Sequence, residues 1–219
     1  FVEITDQPET CTLEIEKQVV NGTAADEQTP FEFAVALKDD KGNPLTESYP
    51  YTIQTKQADG TWAAGEEQQL ASGDTIRLTH NQKVVITGIP KDSRYAVTET
   101  SVEGYGTQYK IKPETAKAEG LTAEGTMYWQ VEEAAESLDA VSHVTFLNTR
   151  LPNLTLKKVS SDTPQKPLSG AVFTLYRTTG EGKEYFNGTI WKPQGENTPP
   201  VLTSDSEGKI LLKAIPDGT

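Results

Sequence analysis

The chain has little of several things that would point to a familiar chemistry. In 219 residues it has one cysteine, Cys11, one methionine, and two histidines, His80 and His143. A single cysteine excludes an internal disulfide framework and any multi-cysteine metal site. Two histidines leave little for a zinc centre or a histidine-activated nucleophile. Nothing in the sequence calls for a cofactor or a metal ion. Basic residues are also scarce: 20 Lys and Arg against 32 Asp and Glu give a formal charge of −12. That balance argues against a nucleic-acid partner, because phosphate binders cluster Lys and Arg. No apolar run approaches the ~20 residues of a membrane span. No long stretch carries a 3.6-residue apolar period. The best helical candidate, Val131 to Leu138, is short and acidic.

What is present is strand chemistry. Thr, Val, Ile and Tyr suit a pleated, half-buried surface, and 17 Gly and 13 Pro punctuate the chain at short intervals. Alternating segments follow in order: Leu13 to Val19, Phe31 to Leu37, Tyr49 to Thr55, Thr75 to Thr79, Lys83 to Thr87, Tyr95 to Glu99, Thr107 to Ile111, Thr126 to Val131 and Val144 to Asn148. The segment from Gly88 to Ser93 reads as a turn. Many short strands with turn signals between them predict a β-sandwich. After a short linker at Thr149 to Asn153, a second series begins with Leu154 to Val159, Ala171 to Tyr176 and Lys209 to Ala214.

The two series echo each other. Leu13-x-Ile15-x-Lys17 matches Leu154-x-Leu156-x-Lys158, and Ile89-Pro90-Lys91-Asp92 matches Ile215-Pro216-Asp217-Gly218. The expectation is an all-β protein of two related domains, 1–150 and 151–219, the second interrupted before its last strands.

Three strands carry a polar residue where alternation wants an apolar one. The inward series Leu13, Ile15 ends in Lys17. Tyr95, Val97 ends in Glu99, and Val144, Phe146 ends in Asn148. Buried charges are costly without partners. One explanation is ordinary: Lys17 snorkels at the rim, Glu99 pairs with it, and Asn148 caps a strand end. The other is a self-formed amide cross-link. Burial lowers a lysine's pKa and raises a glutamate's, so Lys17 becomes a neutral nucleophile. Glu99 then shuttles the proton to the ammonia leaving Asn148.

These segments carry a resemblance. Leu13-Glu-Ile-Glu-Lys17, Tyr95-Ala-Val-Thr-Glu99 and Val144-Thr-Phe-Leu-Asn148 resemble the signature strands of isopeptide-containing domains in Gram-positive surface proteins and pilins, the collagen-adhesin B-type and pilin-linkage families. Leu154 to Val159, followed by Lys166-Pro-Leu-Ser-Gly170-Ala-Val-Phe-Thr-Leu-Tyr176, resembles the start of another such domain. The resemblance implies two tandem Ig-like sandwiches, the second incomplete. It implies a bond between Lys17 and Asn148 with Glu99 catalytic. Lys158 would be the bond lysine of the second domain, with its partners absent from this chain. It further implies an extracellular, cell-wall-anchored stalk or pilin segment, its anchor lying outside this chain. The implied partners are neighbouring domains or pilin subunits, and the only chemistry is a single-turnover self-cross-linking. A clear sorting motif and pilin motif are missing.

The competing reading is a module binding a host matrix protein or glycan through long loops at Ala58–Gly73 and Lys112–Gly125. The acidic pairs Glu66-Glu67 and Glu132-Glu133 read as solvated faces rather than glycosidase carboxylates. Trp129 reads as core, with Trp62 and Trp191 covering loops. Cys11 reads as a lone cysteine before the first strand. No nucleophile–base pair for a hydrolase is visible.

Overall fold

The computed structural model describes residues 10–112, 117–127, 141–193, 195 and 199–216. The helical candidate Val131 to Leu138, Trp129 and Glu132-Glu133 lie outside them. The chain divides into two compact units: Phe1–Val102 with Thr107–Thr149, and Glu103–Gly106 with Arg150–Thr219. Both are built from strands, as expected. Among the described residues the single α-helix is the one-turn Ala24–Glu27. It is closed by a capping box in which Thr23 and Asp26 satisfy each other's main-chain N–H.

The first unit holds β1 (Thr10–Val20), β2 (Phe31–Lys38), β3 (Ser48–Lys56), β4 (Trp62–Ala71), β5 (Thr75–Leu78) and β6 (Gln82–Pro90). It continues with β7 (Arg94–Glu99), β8 (Tyr105–Ile111), β9 (Ala118–Glu119), β10 (Thr122–Thr126) and β11 (Val141–Arg150). They form a seven-stranded sheet in the order β4-β3-β6-β1-β11-β8-β9 and a four-stranded sheet in the order β10-β7-β2-β5. The first and last strands of this unit, β1 and β11, run parallel and adjacent, with Ile15 level with Val144, Lys17 with Phe146 and Val19 with Asn148. In the four-stranded sheet β7 and β2 are antiparallel, Phe33 facing Glu99.

The core is the product of period-two alternation. Leu13 and Ile15 from β1, Phe31, Phe33, Val35 and Leu37 from β2, Val97 from β7, and Val144 and Phe146 from β11 are fully buried. On the outer side of β1, Glu14 and Glu16 meet His143 of β11 and Lys83 of β6. The distances are 2.9 Å from His143 Nδ1 to Glu14, 3.3 Å from His143 Nε2 to Glu16, and 2.9 Å from Lys83 Nζ to Glu14.

The strand expectations need four corrections. The segment Ala58–Gly73, read as a long loop, contains β4. It hid because β4 is an edge strand whose residues are nearly all exposed, with Leu70 alone buried. β6 runs on to Pro90, with Ile89 fully buried, through what reads as a turn. Of the strand expected at Thr126 to Val131, Thr126 ends β10 and residues 128–131 lie outside the described residues, while Lys112–Gly125, read as a long loop, contains β9 and part of β10. Ala171 to Tyr176 is not one strand: it holds the whole of a two-residue strand and the first residue of the next.

Those two are β13 (Val172–Phe173) and β14 (Tyr176–Thr179) of the second unit, which also has β12 (Leu154–Lys157), β15 (Gly182–Phe186), β16 (Trp191–Pro193), β17 (Leu202–Thr203) and β18 (Lys209–Leu212). They pair as β12-β18, β13-β17 and β14-β15-β16. Phe186, Ile210 and Leu212 form its buried centre, with Leu154, Leu156 and Trp191 packed against them. The Trp191 ring lies 5.2 Å from that of Phe186, and its Nε1 donates to the Pro216 carbonyl at 2.9 Å.

Candidate functional site

Three strands deliver the polar triad to one place. Lys17 follows Ile15 on the inner face of β1, Asn148 follows Phe146 on that of β11, and Glu99 ends the inner face of β7 in the opposite sheet. Their exposures are 0%, 0% and 1%. Lys17 Nζ lies 3.5 Å from both Glu99 Oε1 and Oε2. Asn148 Nδ2 donates a short hydrogen bond to Glu99 Oε1. Glu99 therefore contacts the lysine nitrogen and the asparagine amide nitrogen at once. The Asn148 Oδ1 atom is buried without a partner among the described residues. Each such atom costs about 1–3 kcal/mol of lost hydration.

The walls are aromatic. Lys17 Nζ stands 4.0 Å from the Phe31 ring centroid and 5.9 Å from that of Phe33. Phe33 and Phe146 are 5.1 Å apart, and Tyr109 lies 5.9 Å from Phe146. This cage excludes water and moves both ionisable groups toward neutrality. Burial pushes the Lys17 amine down to about 8, against the attraction of Glu99. Burial also pushes the Glu99 carboxyl above its ordinary range, against the pull of Lys17 and the Asn148 hydrogen bond. The arrangement can present a neutral amine, a protonatable acid and a primary carboxamide to one another in a dry site.

Phe31 and Phe33 were legible as core residues but not as walls of this site. Their role depends on β2 lying across from β1, which alternation does not show. Lys158 stands elsewhere. It follows β12, is exposed, and makes main-chain bonds from its N–H to the Gly208 carbonyl (2.7 Å) and from the Leu168 N–H to its own carbonyl (3.0 Å). Among the described residues no carboxylate or carboxamide bonds its ammonium. Cys11 is buried in β1. No group of three or more His, Cys, Asp or Glu side chains among the described residues is arranged to hold a metal ion.

The family model described as "Domain of unknown function (DUF7601)" matches residues 11–150, well over half of the chain. The chain belongs to the DUF7601 family. Its DUF7601 region spans all three residues of the triad. Residues 152–219 match a second family, described as "Prealbumin-like fold domain". Among solved structures, the major pilin from Streptococcus pyogenes is similar at 21% identity and a TM-score of 0.49, over 65% of this chain and 48% of that one. A pilus-presented adhesin is similar at 25% identity and a TM-score of 0.44, over 66% and 28%. The chain thus spans about half the length of the pilin it resembles. No protein of curated function matches it. These two structures are a major pilin and a pilus-presented adhesin, and the signature strands were read as resembling proteins of that kind.

Proposed function

We propose that this chain is a structural stalk segment of a Gram-positive surface adhesin or pilus, built of tandem β domains, and that its first domain is closed by an amide bond between Lys17 and Asn148. One observation carries the reading: Glu99, fully buried, touches both the nitrogen that would attack and the nitrogen that would leave. In the reaction the neutral Lys17 amine adds through its lone pair to Asn148 Cγ. Glu99 takes a proton from Nζ and passes one to Nδ2. The Cγ–Nδ2 bond breaks and ammonia departs, leaving a secondary amide. No external oxidant or energy source is needed. An unactivated carboxamide reacts because its partners are held together in a dry site, where effective concentrations are very high.

The consequence is mechanical. The bond would join the first strand of the domain to its last, so a pull on the chain would pass through the cross-link rather than through the hydrogen bonds of the sheet. Closing the loop from residue 17 to residue 148 is worth about 5 kcal/mol when treated as a disulfide on the chain-entropy account. Placement outside the cell, in a protein anchored to the wall and joined to other subunits, belongs to the same proposal and follows from the resemblance.

Intact mass of the purified chain tests it. The expected mass is short by one ammonia, and the deficit disappears in Glu99→Ala and in Lys17→Ala. A native, folded chain that keeps its full mass overturns the reading.

A further inference from the structure

The alignment of Lys17 with Asn148 depends on the end of β1, and that end is held in an unusual way. β6 pairs with β1 only as far as Lys17 opposite Gln82. Beyond that point the main chain of β1 faces the turn before β6. There the Val19 N–H donates to the His80 side chain, 2.9 Å from Nδ1. In the next residue Asn81, in the left-handed region at φ 59°, the main-chain N–H donates to the Lys17 carbonyl at 3.0 Å. One turn thus grips β1 on both sides of the Lys17–Val19 segment. Val19 is also the residue level with Asn148 in the parallel β1–β11 pair.

The turn itself is anchored. The His80 N–H donates to the Glu27 carbonyl at 3.2 Å, and the Lys56 N–H donates to the Asn81 carbonyl at 2.9 Å. The Thr79 N–H donates to the Gln82 side chain at 2.9 Å. A main-chain N–H can only donate, so Nδ1 must offer its lone pair and the ring proton sits on Nε2. Without His80 the Val19 N–H has no strand partner on that side, and the last residues of β1 can fray.

We infer that His80 is a positioning residue for the Lys17–Asn148 cross-link, acting through the Val19 main chain to hold the end of β1, and with it Lys17, in place for reaction with Asn148. This rests on the proposed bond. His80 touches none of the reacting atoms, and its contribution is geometric. Displacements of about 1 Å in such a site slow a reaction by roughly a hundredfold.

The test is the rate of ammonia loss, read by intact mass on full-length chain sampled over time from cell-free synthesis. His80→Asn puts an oxygen where Nδ1 stands, and His80→Gln puts one where Nε2 stands. The expected order is wild type and His80→Asn alike, with His80→Gln and His80→Ala slower by about tenfold or more. Circular dichroism of the same samples shows which variants fold. If His80→Ala does not fold, the Asn and Gln variants carry the comparison. Equal rates for Asn and Gln, or a wild-type rate in a folded His80→Ala, overturn the inference while leaving the bond intact. A wild-type chain that never loses ammonia overturns both.

Discussion

Lys17 and Lys158 sit in the same short pattern, an apolar-x-apolar-x-lysine run at the start of a β unit, and their surroundings differ completely. Lys17 is sealed under Phe31 and Phe33 against Glu99, which also holds Asn148, whereas Lys158 is exposed to solvent. The contrast extends to the units. The large apolar side chains that stand exposed among the described residues, such as Val172, Tyr176, Val201 and Leu211, belong to the second unit. In the first unit the corresponding face is covered by a second sheet. A strand pattern can therefore nominate a lysine, but it is the layer packed over the strand that changes its chemistry. Here it is desolvation that lowers the Lys17 amine toward neutral pH.

The comparison can be broken most sharply by removing each lysine in turn. If the proposed cross-link forms, Lys17→Met should remove it and lower stability by about 5 kcal/mol on the chain-entropy account, seen as a large fall in the thermal midpoint. An unchanged midpoint would show that Lys17 staples nothing. Next in size, Phe31→Ala opens the cage. It costs about 3–5 kcal/mol as a core truncation and lets water reach Lys17, so an amine-reactive label enters the Phe31→Ala/Glu99→Ala double variant, where the amine stays free, and not Glu99→Ala with the cage intact.

A smaller effect belongs to the outer clamp on β1. Burial pushes His143 down, but the hydrogen bonds to Glu14 and Glu16 outweigh it and hold the imidazole above its ordinary value of 6.5. The His143 hydrogen bond, helped by Lys83, holds Glu14 down to about 2 from an ordinary 4.5. A raised histidine stabilises fully below its unfolded pKa and loses that contribution as pH rises through the folded one. A depressed glutamate stabilises above its unfolded pKa and loses the contribution as pH falls through the folded one. The clamp is therefore strongest between about pH 4.5 and pH 6.5. His143→Ala should cost about 1.5 kcal/mol at pH 6, as for hydrogen bonds to charged groups, and clearly less at pH 9, by denaturant titration. The same cost at both pH values would refute the ionic account. Smallest of all, Lys158→Met should shift stability by less than about 0.5 kcal/mol, as surface substitutions do. A larger loss would mean that Lys158 is engaged after all.

Much of this was open to reading along the chain. Leu13 to Val19, Phe31 to Leu37, Tyr95 to Glu99 and Val144 to Asn148 alternate cleanly because each has one face in the core and the other outside. β4 was not legible, since an edge strand with one buried residue, Leu70, leaves no alternation to find. His80 was not legible either. A histidine accepting from a main-chain N–H leaves no periodic trace, and its partner Val19 lies far away in sequence.

The sequence by itself determined that the chain is all-β, acidic and free of internal disulfides. It also determined that a lysine, a glutamate and an asparagine each stand on the inward side of a strand, because side-chain period and composition are local properties. Only the tertiary structure decided that β1 and β11 lie side by side in parallel, that β7 brings Glu99 against both partners, and that Phe31 closes over the amine. Those are facts of strand order and of sheet-on-sheet packing. The depressed lysine and raised glutamate follow from them, since desolvation depends on what covers a residue and not on its neighbours in the chain.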